Sequence, residues 1–224
     1  MTTRALSAIE ARVLGVLVEK ALTVPDSYPL SLNSLTLGCN QKTARDPVLN
    51  LAEGDVQQAL DGLKALDLAY ETSGSRVSRY AHNAGRALAL PSQSVVLLAA
   101  LVLRGPQTVS ELRANSERLH RFADLSAVEG FLDELAARSD EKGGPLVVKL
   151  PRAPGSREAR WAHLLCGMPE LPAAGLADPG AAMLPTPTEI EAMRAEQAAL
   201  RTEITALRAI VDRLCDELGV RRGA

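Results

Sequence analysis

The pattern of hydrophobic and polar residues repeats once within residues 1–167. In each copy, apolar residues at helical spacing are followed by a short segment in which apolar and polar residues alternate. The first copy comprises Val56, Leu60, Leu63 and Arg79-Tyr80-Ala81-His82, and the second comprises Val128, Leu132, Leu135 and Arg160-Trp161-Ala162-His163. Helical spacing predicts a helix and alternation predicts a strand. The sequence therefore predicts two similar units, each ending in a helix and a β-hairpin.

A further apolar helix is predicted at the start of each unit. In the first unit, Ile9, Val13 and Val16 recur at helical spacing, and the pattern ends before Pro25. In the second unit, the run Val95–Leu103 is apolar over nine residues. Because about 20 apolar residues are needed to cross a bilayer, this run predicts a buried helix, and we expect no membrane span.

Side chains that can cap a helix mark where the remaining helices begin. Ser31 and the pair Thr108 and Glu111 are expected to cap the second helix of each unit. For the third helices, the pairs with capping-box spacing are Asn50 with Glu53 and Ser126 with Glu129. Each unit is therefore expected to have three helices before its hairpin.

The C-terminal region has a different pattern. Residues 168–188 contain five prolines and no periodicity, which predicts a linker. Over residues 189–219, the positions that step by three and four residues are Ile190, Met193, Gln197, Leu200, Ile204, Leu207, Val211, Leu214 and Leu218. This heptad pattern, with glutamates at g facing arginines at e, favours a parallel two-stranded coiled coil and a homodimer. The alternative is that the helix folds back onto its own chain.

Several long strings of residues resemble the YceH-like family of bacterial proteins. The matching strings are residues 10–20, 28–42, 103–108, 116–124 and 157–163. The resemblance implies two tandem winged-helix domains in a bacterial cytoplasmic protein, and the family has no agreed activity. We therefore expect a mainly α fold with small β-hairpins (α+β), with winged-helix domains at residues 1–88 and 89–167. The coiled-coil helix lies outside the matching strings.

Composition agrees with a soluble cytoplasmic protein. The chain has 224 residues, of which 46% are hydrophobic and 23% are charged, and its net charge is -2. The N-terminus lacks the apolar stretch of a secretory signal. Cys39, Cys166 and Cys215 are odd in number and far apart, which is typical of free thiols in a reducing compartment.

Charge bears on nucleic-acid binding in two opposing ways. No segment is strongly basic, and the predicted third helices carry more acidic than basic side chains, which disfavours strong nonspecific binding to DNA. Local basic clusters remain, and they supply the candidate DNA-binding residues Lys42, Arg45, Arg76, Arg79, Arg118, Arg121, Arg152, Arg157 and Arg160. The alternative for each is a solvated face or an ion pair.

Motifs for catalysis are not apparent in the sequence. There is no phosphate-binding glycine loop and no nucleophile elbow, and His163 with Cys166 supplies only two metal ligands. We expect no catalytic activity, cofactor or metal. The prediction is a DNA-binding regulator that contacts double-stranded DNA as a homodimer. The alternative is a protein–protein adaptor, similar in plan to the tandem winged-helix subunit of bacterial chromosome condensation complexes.

Overall fold

The computed structural model describes residues 4–72, 77–152 and 155–169, in two halves of similar element order. The elements of the first half are α1 (Ala8–Thr23), β1 (Leu30–Ser31), α2 (Leu32–Cys39), α3 (Glu53–Ala65), β2 (Ala69–Thr72), β3 (Arg79–His82) and α4 (Ala84–Ala87). Those of the second half are α5 (Ser92–Arg104), α6 (Val109–Ser116), α7 (Leu125–Ala136), β4 (Val147–Lys149) and β5 (Trp161–His163). The predicted mixed α+β class is confirmed.

Each half carries a small antiparallel sheet. In the first half the strand order is β1-β3-β2, and Tyr80 is the register partner of both Leu30 and Glu71. In the second half β4 pairs with β5, and Gln107 forms an isolated bridge with Trp161 on the other side of β5. In both halves, therefore, a short extended segment before the second helix pairs with the last strand of the hairpin.

The predicted caps of the second helices are confirmed. The Ser31 side chain accepts a hydrogen bond from the N–H of Ser34. Thr108 and Glu111 form a reciprocal capping box at the start of α6. In both cases the capping side chain satisfies an N–H group that has no partner within the helix.

The predicted caps of the third helices are wrong. In α3 the N-cap is Ala52, whose N–H donates to the carboxylate of Asp55. Asn40 explains why the helix does not begin earlier, because its side chain binds both the N–H and the C=O of Leu51. In α7 the N-cap is Asp124, whose carboxylate accepts the N–H of Ala127.

Helix α5 belongs to both hydrophobic cores. Its residues Val95, Ala99 and Val102 pack in the core of the first half, whereas the core of the second half contains Leu97 and Leu101. A helix that is apolar on all sides is one that is buried on all sides. Residues up to 170 form one compact unit, and the buried helix predicted at 95–103 is confirmed.

Close contacts join the two halves. A Cβ atom added at Gly15 of α1 would lie 3.0 Å from a methyl carbon of Val102 and 3.1 Å from the side chain of Leu103, both on α5. Backbone hydrogen bonds also connect the halves, from Leu6 N–H to Leu165 O at 2.7 Å and from Asp46 N–H to Leu103 O at 2.8 Å. The two halves are thus joined through α1, α5 and the segments around Leu6, Asp46 and Leu165.

Two of the predicted segments fall mostly or wholly beyond the residues just described. The linker at 168–188 is described only for Met168 and Pro169, and the heptad segment at 189–219 lies entirely outside. None of the helices in the described ranges has the length and apolarity needed to cross a membrane.

Candidate nucleic-acid interface

The hairpin of the second half forms one wall of a surface groove. The groove has a volume of about 380 Å³, and its other walls are the first turns of α6 and α7. Three of its lining residues are basic, namely Lys149, Arg152 and Arg157. They lie on β4 and on the connection between β4 and β5, and all three are exposed to solvent.

Packing of the hairpin fixes the position of this basic wall. Trp161 on β5 is only 2% exposed, and its backbone exchanges two hydrogen bonds with Gln107. The ammonium nitrogen of Lys149 lies 5.4 Å from the centre of the Trp161 ring, within the range of a cation–π interaction. Trp161 thus links the core of the second half to a cation on its surface.

The three cations of the groove have no carboxylate partner in the described part of the chain. No ion pair there includes Lys149, Arg152 or Arg157. Two acidic residues, Glu129 and Glu158, line the same groove and partly offset the positive charge. The arrangement suits a ligand with several spaced negative charges, because unpaired cations lose little when they bind phosphate oxygens.

The neighbouring Arg160 already has protein partners. Its guanidinium forms a two-bond ion pair with the carboxylate of Glu111, with both distances 2.9 Å, and donates a third bond to Pro106 O at 2.8 Å. These bonds join the hairpin to the start of α6. Arg160 therefore has a role in positioning the hairpin, and Glu111 already neutralises its charge.

Arg45, another candidate from the sequence, is buried. Its side chain is 0% exposed, and its guanidinium forms two hydrogen bonds with Glu19 at 2.6 and 3.2 Å. Its Nε donates to Gly38 O at 3.2 Å. Burial raises the pKa of Glu19, but the hydrogen bonds and charge of Arg45 outweigh this and hold that pKa below its usual range. Arg45 thus holds a loop onto α1 and is inaccessible to DNA.

The remaining candidates that the structure describes lie on elements other than the second hairpin. Lys42 and Arg118 are exposed, and Arg76 lies outside the described residues. Arg79 donates to Pro29 O at 2.8 Å. Arg121 pairs with Glu117 at 2.8 Å, an exposed pair of the kind that contributes little stability. Lys42, Arg79, Arg118 and Arg121 do not line the groove of the second half.

The third helices are acidic on their exposed faces. Glu53, Asp55 and Asp61 are exposed on α3, and Lys64 pairs with Asp61 and with Glu71. The corresponding exposed acidic residues on α7 are Glu129, Asp133 and Glu134. Insertion of either helix into a DNA groove would bring carboxylates close to phosphates.

Sequence reasoning missed Lys149 as part of the interface. A signal was present, because Lys149 follows two valines in the predicted strand and precedes Arg152 by three residues. Only the fold shows that its side chain lies on the groove wall and over Trp161.

The two histidines of the hairpins occupy equivalent places. Burial lowers the pKa of both His82 and His163, so both are neutral at pH 7. Their Nδ1 atoms are buried and have no hydrogen-bond partner among the described residues. Within the same residues, no group of three or more His, Cys, Asp or Glu side chains is placed to hold a metal ion.

The sequence is similar to those of several bacterial proteins. Residues 6–156 match the family described as "Protein of unknown function, DUF480". A UPF0502 protein of Leptothrix cholodnii is 60% identical over 222 residues, which cover 97% of this chain and 97% of the relative. A UPF0502 protein of Burkholderia cenocepacia is 59% identical over 219 residues, which cover 97% of this chain and 91% of the relative. A UPF0502 protein of Burkholderia pseudomallei strain 668 is 58% identical over 223 residues, which cover 98% of this chain and 92% of the relative.

Proposed function

The chain belongs to the DUF480 (UPF0502) family of bacterial proteins, and we propose that it is a non-catalytic DNA-binding regulator whose second hairpin contacts the phosphate backbone. The observation that carries this proposal is the groove beside α7, where Lys149, Arg152 and Arg157 are exposed without carboxylate partners in the described ranges. Phosphate neutralisation by such cations supplies most of the affinity of nonspecific DNA binding.

The order of elements supports a winged-helix assignment for each half. Three helices followed by a two-stranded hairpin is the order in a winged-helix unit, and a short extended segment before the second helix pairs with the hairpin in both halves. The resemblance to the YceH-like family, in a cytoplasmic setting, belongs to the same proposal. Fold-level analogy alone is a weak argument for function, so the charges of the groove carry more weight.

The acidic third helices restrict which element of the protein can contact DNA. In the usual winged-helix mode, the third helix enters the major groove. Here Asp133 and Glu134 of α7 would repel the phosphates. We therefore infer that the hairpin contacts the sugar–phosphate backbone of DNA, while α7 stays outside the major groove of DNA. Binding of this kind is weakly sequence-specific and strongly dependent on salt.

A gel-shift experiment with random-sequence duplex DNA at low salt tests this proposal. We expect the full chain to form a complex and the variants Arg152→Ala and Arg157→Ala each to bind more weakly. Each lost phosphate contact should reduce the slope of log K against log salt by about 0.9.

The matched control is Arg86→Ala, which removes an exposed arginine on α4, away from the groove. It should bind like the unmodified chain. If no complex forms at about 100 µM protein, the upper end of nonspecific dissociation constants, the DNA proposal is wrong.

A protein–protein adaptor is the second candidate function. It is favoured by the acidic face of α3 and by two exposed apolar side chains near it in sequence, Leu37 (67% exposed) and Val48 (55% exposed). A partner with a basic surface would complement this face. Two substitutions distinguish these functions. Asp55→Asn and Asp61→Asn would weaken the complex of an adaptor with its protein partner, and they would leave the gel shift with DNA unchanged.

Dimerisation through residues 189–219 is part of the proposal and rests on the heptad pattern. A parallel coiled coil would double the number of hairpins available to one DNA molecule and increase its avidity. Ile204→Asp places a charge in the predicted seam and should convert the dimer to a monomer in sedimentation experiments. An unchanged dimer would show that the two copies associate elsewhere.

A further inference from the structure

A second groove lies where the two halves meet. Its volume is about 610 Å³, and it shares no lining residue with the groove beside α7. Its walls come from the segment before α1, the end of α3 and α4 in the first half, and from residues 138–146 and the segment after β5 in the second half. Small-molecule sites typically have volumes of about 300–1,000 Å³ and often lie between domains.

The floor of this groove is apolar. Its seven leucines are Leu6 and, in addition, Leu66, Leu68, Leu88, Leu146, Leu164 and Leu165. Four of them are only partly buried, so their side chains still have surface in contact with water. Covering that surface with an apolar ligand is favourable, because it removes hydrocarbon from water.

Charges of both signs line the same groove without pairing. Asp67 comes from the first half, and Arg138, Glu141 and Lys142 come from the second half. None of these four is within 4.0 Å of an opposite charge in the described part of the chain. Arg4, which also lines the groove, is paired with Glu10. Charges of both signs thus line one cavity without forming an ion pair with each other.

Hydrogen bonds fix the backbone of Asp67 and the guanidinium of Arg138. Asp67 has a left-handed conformation (φ 57°) at the end of α3, and its C=O accepts a hydrogen bond from Asn83 at 2.9 Å. Arg138 donates to Gly144 O at 3.3 Å and also to Lys142 O. Ala89, a third lining residue, is also left-handed (φ 50°). Both residues follow the C-cap of a helix, and the backbone hydrogen bonds around them are those of a Schellman motif, so these conformations end α3 and α4.

We propose that this groove binds a small apolar zwitterion, a hydrophobic dipeptide being the best fit to its size and charges. The ligand's ammonium group lies toward Asp67, its carboxylate lies toward Arg138 and Lys142, and its side chains cover the leucine floor. A simple apolar anion fits less well, because it leaves the Asp67 carboxylate unpaired and its own negative charge repels that carboxylate. The site does not depend on DNA binding.

Isothermal titration of the full chain with L-leucyl-L-leucine tests this assignment. We expect saturable binding, and binding about tenfold weaker for the N-acetylated and C-amidated forms, because hydrogen bonds to charged groups are the stronger ones. Asp67→Asn should weaken the unmodified dipeptide about tenfold and leave the N-acetyl form unaffected. Lys142→Gln should weaken the dipeptide and leave the amidated form unaffected.

The controls separate a binding defect from a folding defect. Asn tolerates the left-handed conformation, so Asp67→Asn should melt at an unchanged temperature. Arg86→Gln, on α4 but outside the groove, should bind the dipeptide normally. Absence of saturation at about 10 mM dipeptide, or equal binding of decanoate, would overturn the assignment. Either result leaves the gel-shift prediction intact, because the two grooves share no residue.

Discussion

Replacing Arg45 with alanine is expected to lower the free energy of unfolding by about 3–5 kcal/mol, the usual cost of removing one partner from a buried ion pair. The Arg45 side chain has no exposure to solvent, and Glu19, its partner, is 17% exposed. Among the described residues, the variant leaves the Glu19 carboxylate with Lys20, at 3.3 Å, as its one cationic partner. It also removes the bonds to Gly38 O and Ala44 O. Urea denaturation at pH 7 measures the loss.

The pH dependence of this loss identifies its cause. In the unmodified chain the pKa of Glu19 is below its usual value, so its ion pair stabilises the fold above about pH 4 and this stabilisation is lost in acid. In Arg45→Ala, the burial that raises the pKa of the Glu19 carboxyl is opposed by Lys20 without Arg45, so this pKa is higher than in the unmodified chain. The difference in stability between the two proteins should therefore shrink as the pH falls from 7 to about 4.

A double variant is the matched control for this prediction. Glu19→Leu combined with Arg45→Met replaces both charges with apolar groups and should recover most of the stability, because buried ion pairs and well-packed apolar residues are often nearly equivalent. A loss below about 1 kcal/mol in Arg45→Ala would instead place this pair among surface ion pairs.

Gly15→Leu is expected to destabilise the protein by about 3 kcal/mol, because an added side chain overpacks the contact between α1 and α5. Even a Cβ atom at this position would lie 3.0 Å from Val102. Both neighbouring side chains are on a helix that is buried on all sides, so they have little room to move. Thermal unfolding followed by circular dichroism measures the effect.

Gly130→Leu provides the comparison for Gly15→Leu. Gly130 lies in the middle of α7, is exposed, and has no other heavy atom within 4 Å of an added Cβ. Because glycine is a poor helix former, this variant should be about 0.5–1 kcal/mol more stable than the unmodified chain. Equal effects at the two positions would contradict the close approach of α1 and α5.

Helices and caps were predictable from the sequence where the signal was local and unopposed. The capping box of Thr108 and Glu111 is confirmed, because the Glu111 carboxylate accepts the N–H of Thr108 even while it pairs with Arg160. The predicted start of α3 at Asn50 is wrong because Asn40, ten residues earlier in the chain, holds the backbone of Leu51. A contact of this kind depends on how the loop folds back, which a local pattern does not contain.

The roles of the arginines were less predictable than the helices, because they too depend on contacts between residues that are distant in sequence. Arg45 and Arg152 are both basic residues in predicted loops, yet one is buried against Glu19 and the other lines an open groove. The partner of Arg45 lies 26 residues away in sequence, and that of Arg160 lies 49 residues away. Charge patterns identify surface candidates, but only tertiary structure shows which of them are already neutralised.

Because the two cores share α5, this helix tolerates amino-acid substitutions poorly. Most helices have a solvent face on which mutations accumulate at little cost, but α5 is buried from Ser94 to Leu103. A substitution at any of these positions is constrained by neighbours from one half, from the other, or from both. We expect this helix to be the slowest-diverging segment of the duplicated region, and neither half to remain soluble when it is expressed without the other.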